Sequence, residues 1–111
     1  MNGDHKRIVI ALGGNAIKLP QQKGTFEEQL ANIRAASHHI LHFIQHGFEV
    51  VISHGNGPQV GNLLVQQEAG SSQVPPQPLE ICNAMTQGQL GYMIQQTLMN
   101  ELKSHNLNLN V

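Results

Sequence analysis

Two short apolar runs, each followed by a glycine-containing turn, set the pattern of this chain. Ile8 to Leu12 is continuously apolar, which predicts a strand covered on both faces, and Phe48 to Ile52 predicts a second buried strand. The turns that follow them are Gly13-Gly14-Asn15-Ala16 and Ser53-His54-Gly55-Asn56-Gly57. Because a helical segment separates the strands, this order predicts an α/β fold with a right-handed crossover between parallel strands.

The segment between the two strands carries the boundary signals of a long helix. Thr25 is a favourable N-cap, and Glu28 three residues later completes a capping box. Gly47 is placed to end the helix. Residues at helical spacing predict its buried side: Phe26, Leu30, Ile33, Ser37, Ile40, Leu41 and Ile44.

Two further helices are expected in the second half of the chain. The first begins at Pro58, since proline is favoured in the first helical turn, and ends near Gly70. After a proline-containing loop, the second runs from Leu79 to Ser104. Its predicted buried stripe consists of Ile81, Met85, Tyr92, Leu98 and Leu102. Gly88 and Gly91 weaken this helix, so we expect them to permit close packing of another element.

Both ends of the sequence carry weaker signals. Leu107, Leu109 and Val111 alternate with asparagines, and this period of two predicts the start of a third strand. Three strands leave at least one sheet edge unpaired, so we expect a truncated domain that is prone to association. The polar start, Met1 to Lys6, is expected to be frayed.

The composition excludes several classes of function. A chain of 111 residues is one small domain or a piece of a larger one. Its net charge of -1 gives no electrostatic reason to bind nucleic acid or an anionic membrane. The first apolar run is too short for a signal peptide core or a membrane span. With one cysteine, Cys82, no internal disulfide framework can form, and we expect a cytoplasmic protein.

The two glycine turns are the candidate site. Ligands of open α/β sheets bind at the carboxyl ends of the strands, and a helix N-terminus there suits an anion. The spacing of Gly55, Gly57 and Gly61 is one residue longer than the dinucleotide fingerprint, and the phosphate loop with its lysine is absent. Two such turns, each with an asparagine, favour a small-anion site, although glycine turns also occur for shape alone.

Three stretches of the sequence resemble carbamate kinase, a member of the amino-acid kinase superfamily. They are ALGGNAI (Ala11 to Ile17), SHGNGPQVG (Ser53 to Gly61) and TQGQLGYMIQQTLMNEL (Thr86 to Leu102), with PLEICNAM (Pro78 to Met85) leading into the third. The resemblance extends from Ile8 to Val111. It implies a three-layer α/β/α sandwich with a mainly parallel sheet, and a homodimer. It also implies reversible phosphate transfer between ATP and carbamate, with Mg accompanying the nucleotide and no tightly bound cofactor.

The resemblance assigns roles to both turns. It implies that Gly13, Gly14 and Asn15 bind the transferring phosphate. The carbamate-binding side would consist of Ser53, His54, Gly55, Asn56, Gly57 and Gln59, with Ser53 and His54 in the wall. Physical chemistry agrees, because backbone N–H groups and asparagine amides donate to phosphate oxygens without adding a titrating group. The pathways implied are arginine and purine fermentation, mostly in the direction of ATP formation.

One departure limits what these 111 residues are expected to do. The family's charge-neutralising lysines and adenine pocket lie downstream of Val111, so no catalytic residue is assigned here. Residues 1–111 would be the N-terminal part of the domain, on the acceptor and phosphate side, without the nucleotide-binding C-terminal part. We expect this chain to be inactive alone. The alternatives are an inactive anion-binding remnant or subunit-pairing module, and a dinucleotide-binding half-domain.

The remaining polar residues receive structural interpretations. His38, His42 and His46 share one face of the first long helix, which is interpreted as a solvated face, and no metal site is predicted. His54 is interpreted as a wall residue because carbamate has little need of a general acid or base. Cys82 is interpreted as a small packing residue.

Overall fold

The computed structural model describes residues 6–111, which form two strands and four helices. The elements are β1 (Arg7–Leu12), α1 (Gly14–Ile17), α2 (Phe26–Gln45), β2 (Glu49–His54), α3 (Gly57–Gly70) and α4 (Leu79–Ser104). The frayed start expected for residues 1–5 lies outside the described range. The single-turn helix α1 was not predicted, because its sequence reads as a turn. None of the described helices is long and apolar enough to cross a membrane.

Strands β1 and β2 are parallel, as the strand–helix–strand order predicted, and they are direct neighbours in the sheet, which the order left open. Their register runs from Arg7 opposite Glu49 to Leu12 opposite His54. Because both strands end at the same level, the turns that follow them leave the sheet at the same edge. The pairing therefore places the two glycine turns side by side.

The capping box that opens α2 is present. The Glu28 N–H donates to the Thr25 hydroxyl at 3.2 Å, and the Glu28 carboxylate accepts from the Thr25 N–H at 3.1 Å and the Gly24 N–H at 2.7 Å. These backbone N–H groups, that of Thr25 first, lower the pKa of Glu28 from its ordinary value, with a small further contribution from the charge of Lys18. The capping box predicted from Thr25 and Glu28 is thus formed by residues that are neighbours in the sequence.

Helices α2 and α4 end in the same hydrogen-bonded motif. After α2, the Gly47 N–H donates to Ile44 O at 3.0 Å and the Phe48 N–H to Phe43 O at 3.1 Å, with Gly47 at φ +83°. This is a Schellman motif, and it confirms the predicted helix end. The residues after α4 repeat the two bonds, with Asn106 at φ 58° in place of glycine.

The core lies on one face of the sheet, between the strands and helices α2 and α4. Its buried apolar residues include Ile33, Ile40, Leu41, Leu90, Ile94 and Leu98, and Ile10 and Ile52 of the strands pack against them. The opposite face is open: Val9 is 67% exposed and Val51 46%. The prediction that β1 is covered on both faces is therefore wrong for the described residues, because both long helices pack on the same side.

The buried stripe of α4 differs from the predicted one. Leu98 and Leu102 are buried, but Ile81, Met85 and Tyr92 are exposed. The other buried residues of the helix are Cys82, Thr86, Leu90, Met93, Ile94 and Thr97. The predicted stripe took only apolar residues as buried, whereas Thr86 is fully buried because its hydroxyl accepts a hydrogen bond from Asn56. Cys82 is fully buried and its thiol donates to Gln77 O at 3.4 Å.

Two more expectations concern the C-terminal region, and the second of them, a third strand, is wrong. A Cβ added at Gly88 or Gly91 would meet no atom within 4 Å, so these glycines accommodate no close neighbour in the described chain. Residues 107–111 contain no strand. Instead, Leu107 packs on the core and the Val111 carbonyl accepts from the Gln95 side chain at 2.7 Å, so the segment does not pair with β2.

Candidate functional site

The two glycine turns contact each other through their backbones. The Gly55 N–H donates to the Leu12 carbonyl at 2.9 Å, which continues the pairing of β1 and β2 into the turns. A Cβ added at Gly55 would lie 3.2 Å from the Gly14 nitrogen. One added at Gly14 would lie 2.5 Å from Pro58 Cδ and 3.3 Å from the Gly57 nitrogen. The structure therefore brings together the two turns that were predicted to form one candidate site.

The glycines at this contact are required for space and not for an unusual backbone conformation. The only described glycines with positive φ are Gly24 and Gly47, which lie elsewhere. A separation of 2.5 Å is far below the van der Waals contact of two carbon atoms, so any side chain at position 14 would displace Pro58. Glycine at positions 14 and 55 lets the turns approach more closely than any other residue could.

The other glycine of each turn faces open space. A Cβ at Gly13 or Gly57 would meet nothing within 4 Å, and both residues are exposed. Asn15 is exposed as well, and its side chain makes no hydrogen bond to the described part of the chain. Gly13, Asn15 and Gly57 thus form the accessible surface of the paired turns.

Helix α3 begins directly at this surface. Its first intrahelical bond is from the Val60 N–H to Asn56 O at 2.9 Å, so the N–H groups of Gly57 and Gln59 have no partner within the helix. Pro58 carries no N–H and lies in the first turn. The unpaired N–H groups and the helix dipole make this a favourable environment for an anion.

Asn56 holds the second turn against helix α4. Its side-chain nitrogen donates to Asn83 Oδ1 at 2.6 Å and to Thr86 Oγ1 at 2.8 Å, and the Thr86 hydroxyl donates to Asn83 O at 2.9 Å. The nitrogen of this amide is therefore occupied within the protein. Asn83 and Thr86 were not identified from the sequence. Their spacing of three residues on one helix face is a weak signal that could have indicated them.

Ser53 and His54, the predicted wall residues, lie on opposite faces of β2, because neighbouring side chains of a strand alternate. Ser53 is exposed and pairs in register with Ala11. His54 is half-buried and lines an apolar groove of about 600 Å³ beside β2, with Ile52 and Leu98 among its neighbours. The wall role predicted for both residues stays a prediction.

Gln59 is buried, and its side chain contacts α2. It is 5% exposed, and its side-chain nitrogen donates to Gln29 Oε1 at 3.0 Å. It also lines a small pocket of about 130 Å³ between α2, α3 and α4. Its predicted contact with carbamate stays a prediction.

The paired turns contain no positively charged side chain. Lys18 follows α1, but its aliphatic carbons pack near Gly24, at 2.9 Å and 3.1 Å from the position a Cβ would take there. Within residues 6–111 no group of three or more His, Cys, Asp or Glu side chains is arranged to hold a metal ion. His38, His42 and His46 are exposed, in keeping with the interpretation as a solvated face. Within residues 6–111, the hydrogen-bond donors that the turns expose are backbone N–H groups and the Asn15 amide.

Comparison with known proteins gives a consistent result across sequence and structure. The model of the amino acid kinase family matches residues 6–110. The chain is 51% identical over 104 residues to the carbamate kinase of Pyrococcus furiosus, covering 92% of this chain and 33% of that protein. It is 56% identical over 101 residues to the carbamate kinase of Thermococcus kodakarensis, covering 88% of this chain and 32% of that protein.

A solved structure of similar sequence extends this result to the fold. Carbamate kinase from Giardia lamblia bound to AMP-PNP superimposes with a TM-score of 0.91 at 39% identity, covering 96% of this chain and 38% of that one. The fold is thus the α/β amino-acid kinase fold with parallel strands, as predicted. The resemblance to carbamate kinase is confirmed as well, and the chain spans about one third of the length of these curated relatives.

Proposed function

Because this chain belongs to the amino acid kinase family, we propose that its paired glycine turns serve a carbamate kinase reaction. In that reaction a carboxylate oxygen of carbamate bonds to the γ-phosphorus of ATP while the bond to the bridging oxygen of ADP breaks. The products are carbamoyl phosphate and ADP. The observation that carries the proposal is the pairing of two turns, each with an open glycine, at the start of α3.

The first turn would bind the transferring phosphoryl group. Gly13 is open to solvent, so phosphate oxygens can approach its backbone, and the exposed Asn15 amide can donate to them. Gly14 would act through its contact with Pro58, which keeps the first turn against the second. Phosphoryl transfer depends on positioning and charge stabilisation more than on covalent chemistry, which suits such a set of neutral donors.

The second turn would bind carbamate. The Gly57 N–H and the N-terminus of α3 suit its carboxylate, while Gly55 keeps the turn close to the first one. Asn56 would position the turn through Asn83 and Thr86, since its side-chain nitrogen is already bonded to them. Ser53, His54 and Gln59 would complete the wall, with Gln59 acting through its backbone N–H.

The remaining requirements would be met outside these residues. The three negative equatorial oxygens of the transition state need cations, and the paired turns have none. We therefore propose that lysines and the nucleotide site belong to sequence beyond this chain, with Mg²⁺ entering as part of the nucleotide substrate. The full protein would be a homodimer that works mainly toward ATP formation in arginine or purine fermentation.

Titration with carbamoyl phosphate tests the binding role. We expect saturable changes in the backbone N–H resonances of Gly13 and Gly57, and at least tenfold weaker binding in Gly13→Ala. Gly13 has φ -65° and ψ 157°, which alanine adopts readily, so this variant should fold. Gly88→Ala, at an open position on α4, is the matched control. Equal affinity in both variants would contradict the proposal.

A second candidate function is anion binding without catalysis, which the absence of cations at the turns favours. The measurement is ATP formation from carbamoyl phosphate and ADP by the purified chain. We expect binding without turnover if the chain needs further sequence, and turnover would exclude the inactive module. A dinucleotide-binding half-domain would be favoured only if NAD raised the melting temperature and carbamoyl phosphate did not.

A further inference from the structure

Two histidines at the C-terminal end of helix α2 bring their rings into contact. His42 and His46 lie about one helical turn apart, and their ring centroids are separated by 4.2 Å, with 47° between the ring planes. Both residues are exposed. Solvent, and any ion dissolved in it, therefore has access to both rings.

A hydrogen bond fixes which nitrogen of the His46 ring carries the hydrogen. Its Nδ1 lies 2.8 Å from His42 O. Because a carbonyl oxygen accepts and cannot donate, the hydrogen of this bond belongs to Nδ1. In the neutral ring the lone pair is then on Nε2, the nitrogen that is left free. Histidines that bind metals have this arrangement, in which one ring nitrogen donates to a carbonyl or carboxylate and the other coordinates the ion.

The His42 ring is available as a second ligand beside His46. It makes no hydrogen bond to the part of the chain that the structure describes, so its orientation is not tied to another group. Two histidines at positions i and i+4 share one helix face, and metalloprotease helices bind zinc through this spacing. Helix α2 maintains the spacing, because the His46 N–H donates to His42 O at 3.2 Å. The pair can thus bind one ion without ordering a loop.

His38 has the same spacing from His42 on the other side but different surroundings. Its Nδ1 lies 3.5 Å from Glu101 Oε2, so its side chain pairs with helix α4. The ring that lies beside His42 is that of His46. The sequence alone did not distinguish these two neighbours of His42 and predicted no metal site. The ring contact and the fixed hydrogen of His46 come from the structure.

We propose that His42 and His46 together bind a divalent first-row metal ion of the Zn²⁺, Cu²⁺ or Ni²⁺ type, with water as the remaining ligands. Imidazole suits these ions, whereas Mg²⁺ and Ca²⁺ prefer oxygen ligands. Water completes the coordination because residues 6–111 contain no group of three protein ligands. The partial negative charge at the C-terminus of α2 favours a cation. The site is independent of phosphoryl transfer, since it lies on α2 and uses neither glycine turn.

Titration of the chain with zinc chloride at about pH 8, where imidazole is neutral, tests the proposal. We expect saturable changes in the ring C–H resonances of both His42 and His46. The melting temperature should rise with the zinc concentration, because the ion binds the folded helix in preference to the unfolded chain. Magnesium chloride should cause no saturable change. A linear response to zinc at these rings, or saturation by magnesium, would overturn the proposal.

Three substitutions locate the ion. His42→Gln and His46→Gln each remove one of the two ligands and should weaken zinc binding at least about tenfold, because the gain from simultaneous attachment is lost. His38→Gln is the matched control on the same helix face and should leave the affinity unchanged. All three positions are exposed, so the variants should fold, and their melting temperatures without zinc verify this. Unchanged affinity in His46→Gln, or an equal loss in His38→Gln, would contradict the proposal.

Discussion

The glycine turns and the middle of helix α4 each contain a pair of glycines, but the two pairs have opposite surroundings. Gly14 and Gly55 would bring an added Cβ within 2.5 Å and 3.2 Å of the facing turn. Gly88 and Gly91 would bring it near no atom at all. The comparison shows that the two pairs differ in role: Gly14 and Gly55 allow two backbones to touch, whereas Gly88 and Gly91 have no close neighbour among the described residues.

Replacing Gly14 by alanine is expected to have the largest effect. The added Cβ overlaps the Pro58 ring, and the turn must shift to remove the overlap, at a cost of about 3 kcal/mol in the free energy of unfolding. Urea denaturation measures this cost. Gly13→Ala, at the open neighbour, should change stability by less than about 0.5 kcal/mol. Similar losses in both variants would remove the distinction between packed and open turn glycines.

Asn56→Ala tests whether the side chain of Asn56 holds the second glycine turn against α4. It removes the bonds to Asn83 and Thr86 and leaves their half-buried and buried oxygens with fewer donors, which should cost about 2 kcal/mol. Thr86→Val retains the shape of residue 86 and removes one of the two acceptors. In a double-mutant cycle the two changes should be clearly non-additive. Additive losses would show that the bond between these side chains does not hold the turn.

Gly88→Ala and Gly91→Ala test the second pair of glycines, the open positions on α4. Each position is open and helical, so alanine should stabilise the protein by about 0.5–1 kcal/mol. The melting temperature should rise accordingly. A loss of stability in either variant would indicate that another surface packs against α4 in solution, and it would make these glycines similar to Gly14.

The smallest expected effect concerns the capping box of α2, a region held by local bonds alone. Backbone N–H groups lower the pKa of Glu28 in the folded protein, so its stabilising contribution is present above the ordinary pKa of 4.5 and is lost as the pH falls through the folded value. The stability difference between the wild type and Glu28→Gln should therefore shrink below that pH. Glu27→Gln is the control, since Glu27 lies outside the box. A difference that stays constant with pH would contradict this account.

The parts of the fold that were predicted correctly have signals a few residues long. Thr25 with Glu28, and Gly47 after α2, satisfy backbone groups within one turn of helix, so their meaning survives without knowledge of the rest. The parallel direction of β1 and β2 followed from the order of elements, whereas their direct pairing did not. The prediction of the buried stripe of α4 was wrong, because the face that a helix buries depends on the elements it packs against, and these lie far away in the sequence.

For the candidate site too, some features were predicted from the sequence and others were not. Both turns were predicted to contribute to one site, because ligands of open α/β sheets bind at the carboxyl ends of the strands, but the direct contact of the turns follows from the pairing of β1 with β2. The roles within each turn were not separable, since Gly13 and Gly14 look alike in sequence. Asn83 and Thr86 lie 27 and 30 residues from Asn56, and no short motif links them to it.

By itself, the sequence determined the helix boundaries, the parallel strand–helix–strand unit, the two glycine turns and the resemblance to carbamate kinase. Only the tertiary structure decided which turn glycines are packed and which are open, how Asn56 is held, and that Gln59 is buried with its side chain bonded to Gln29. The physical reason is the separation along the sequence of the residues that interact. Caps and turns are stabilised by bonds among neighbouring residues, whereas close packing and buried pairing depend on residues that only the folded chain brings together.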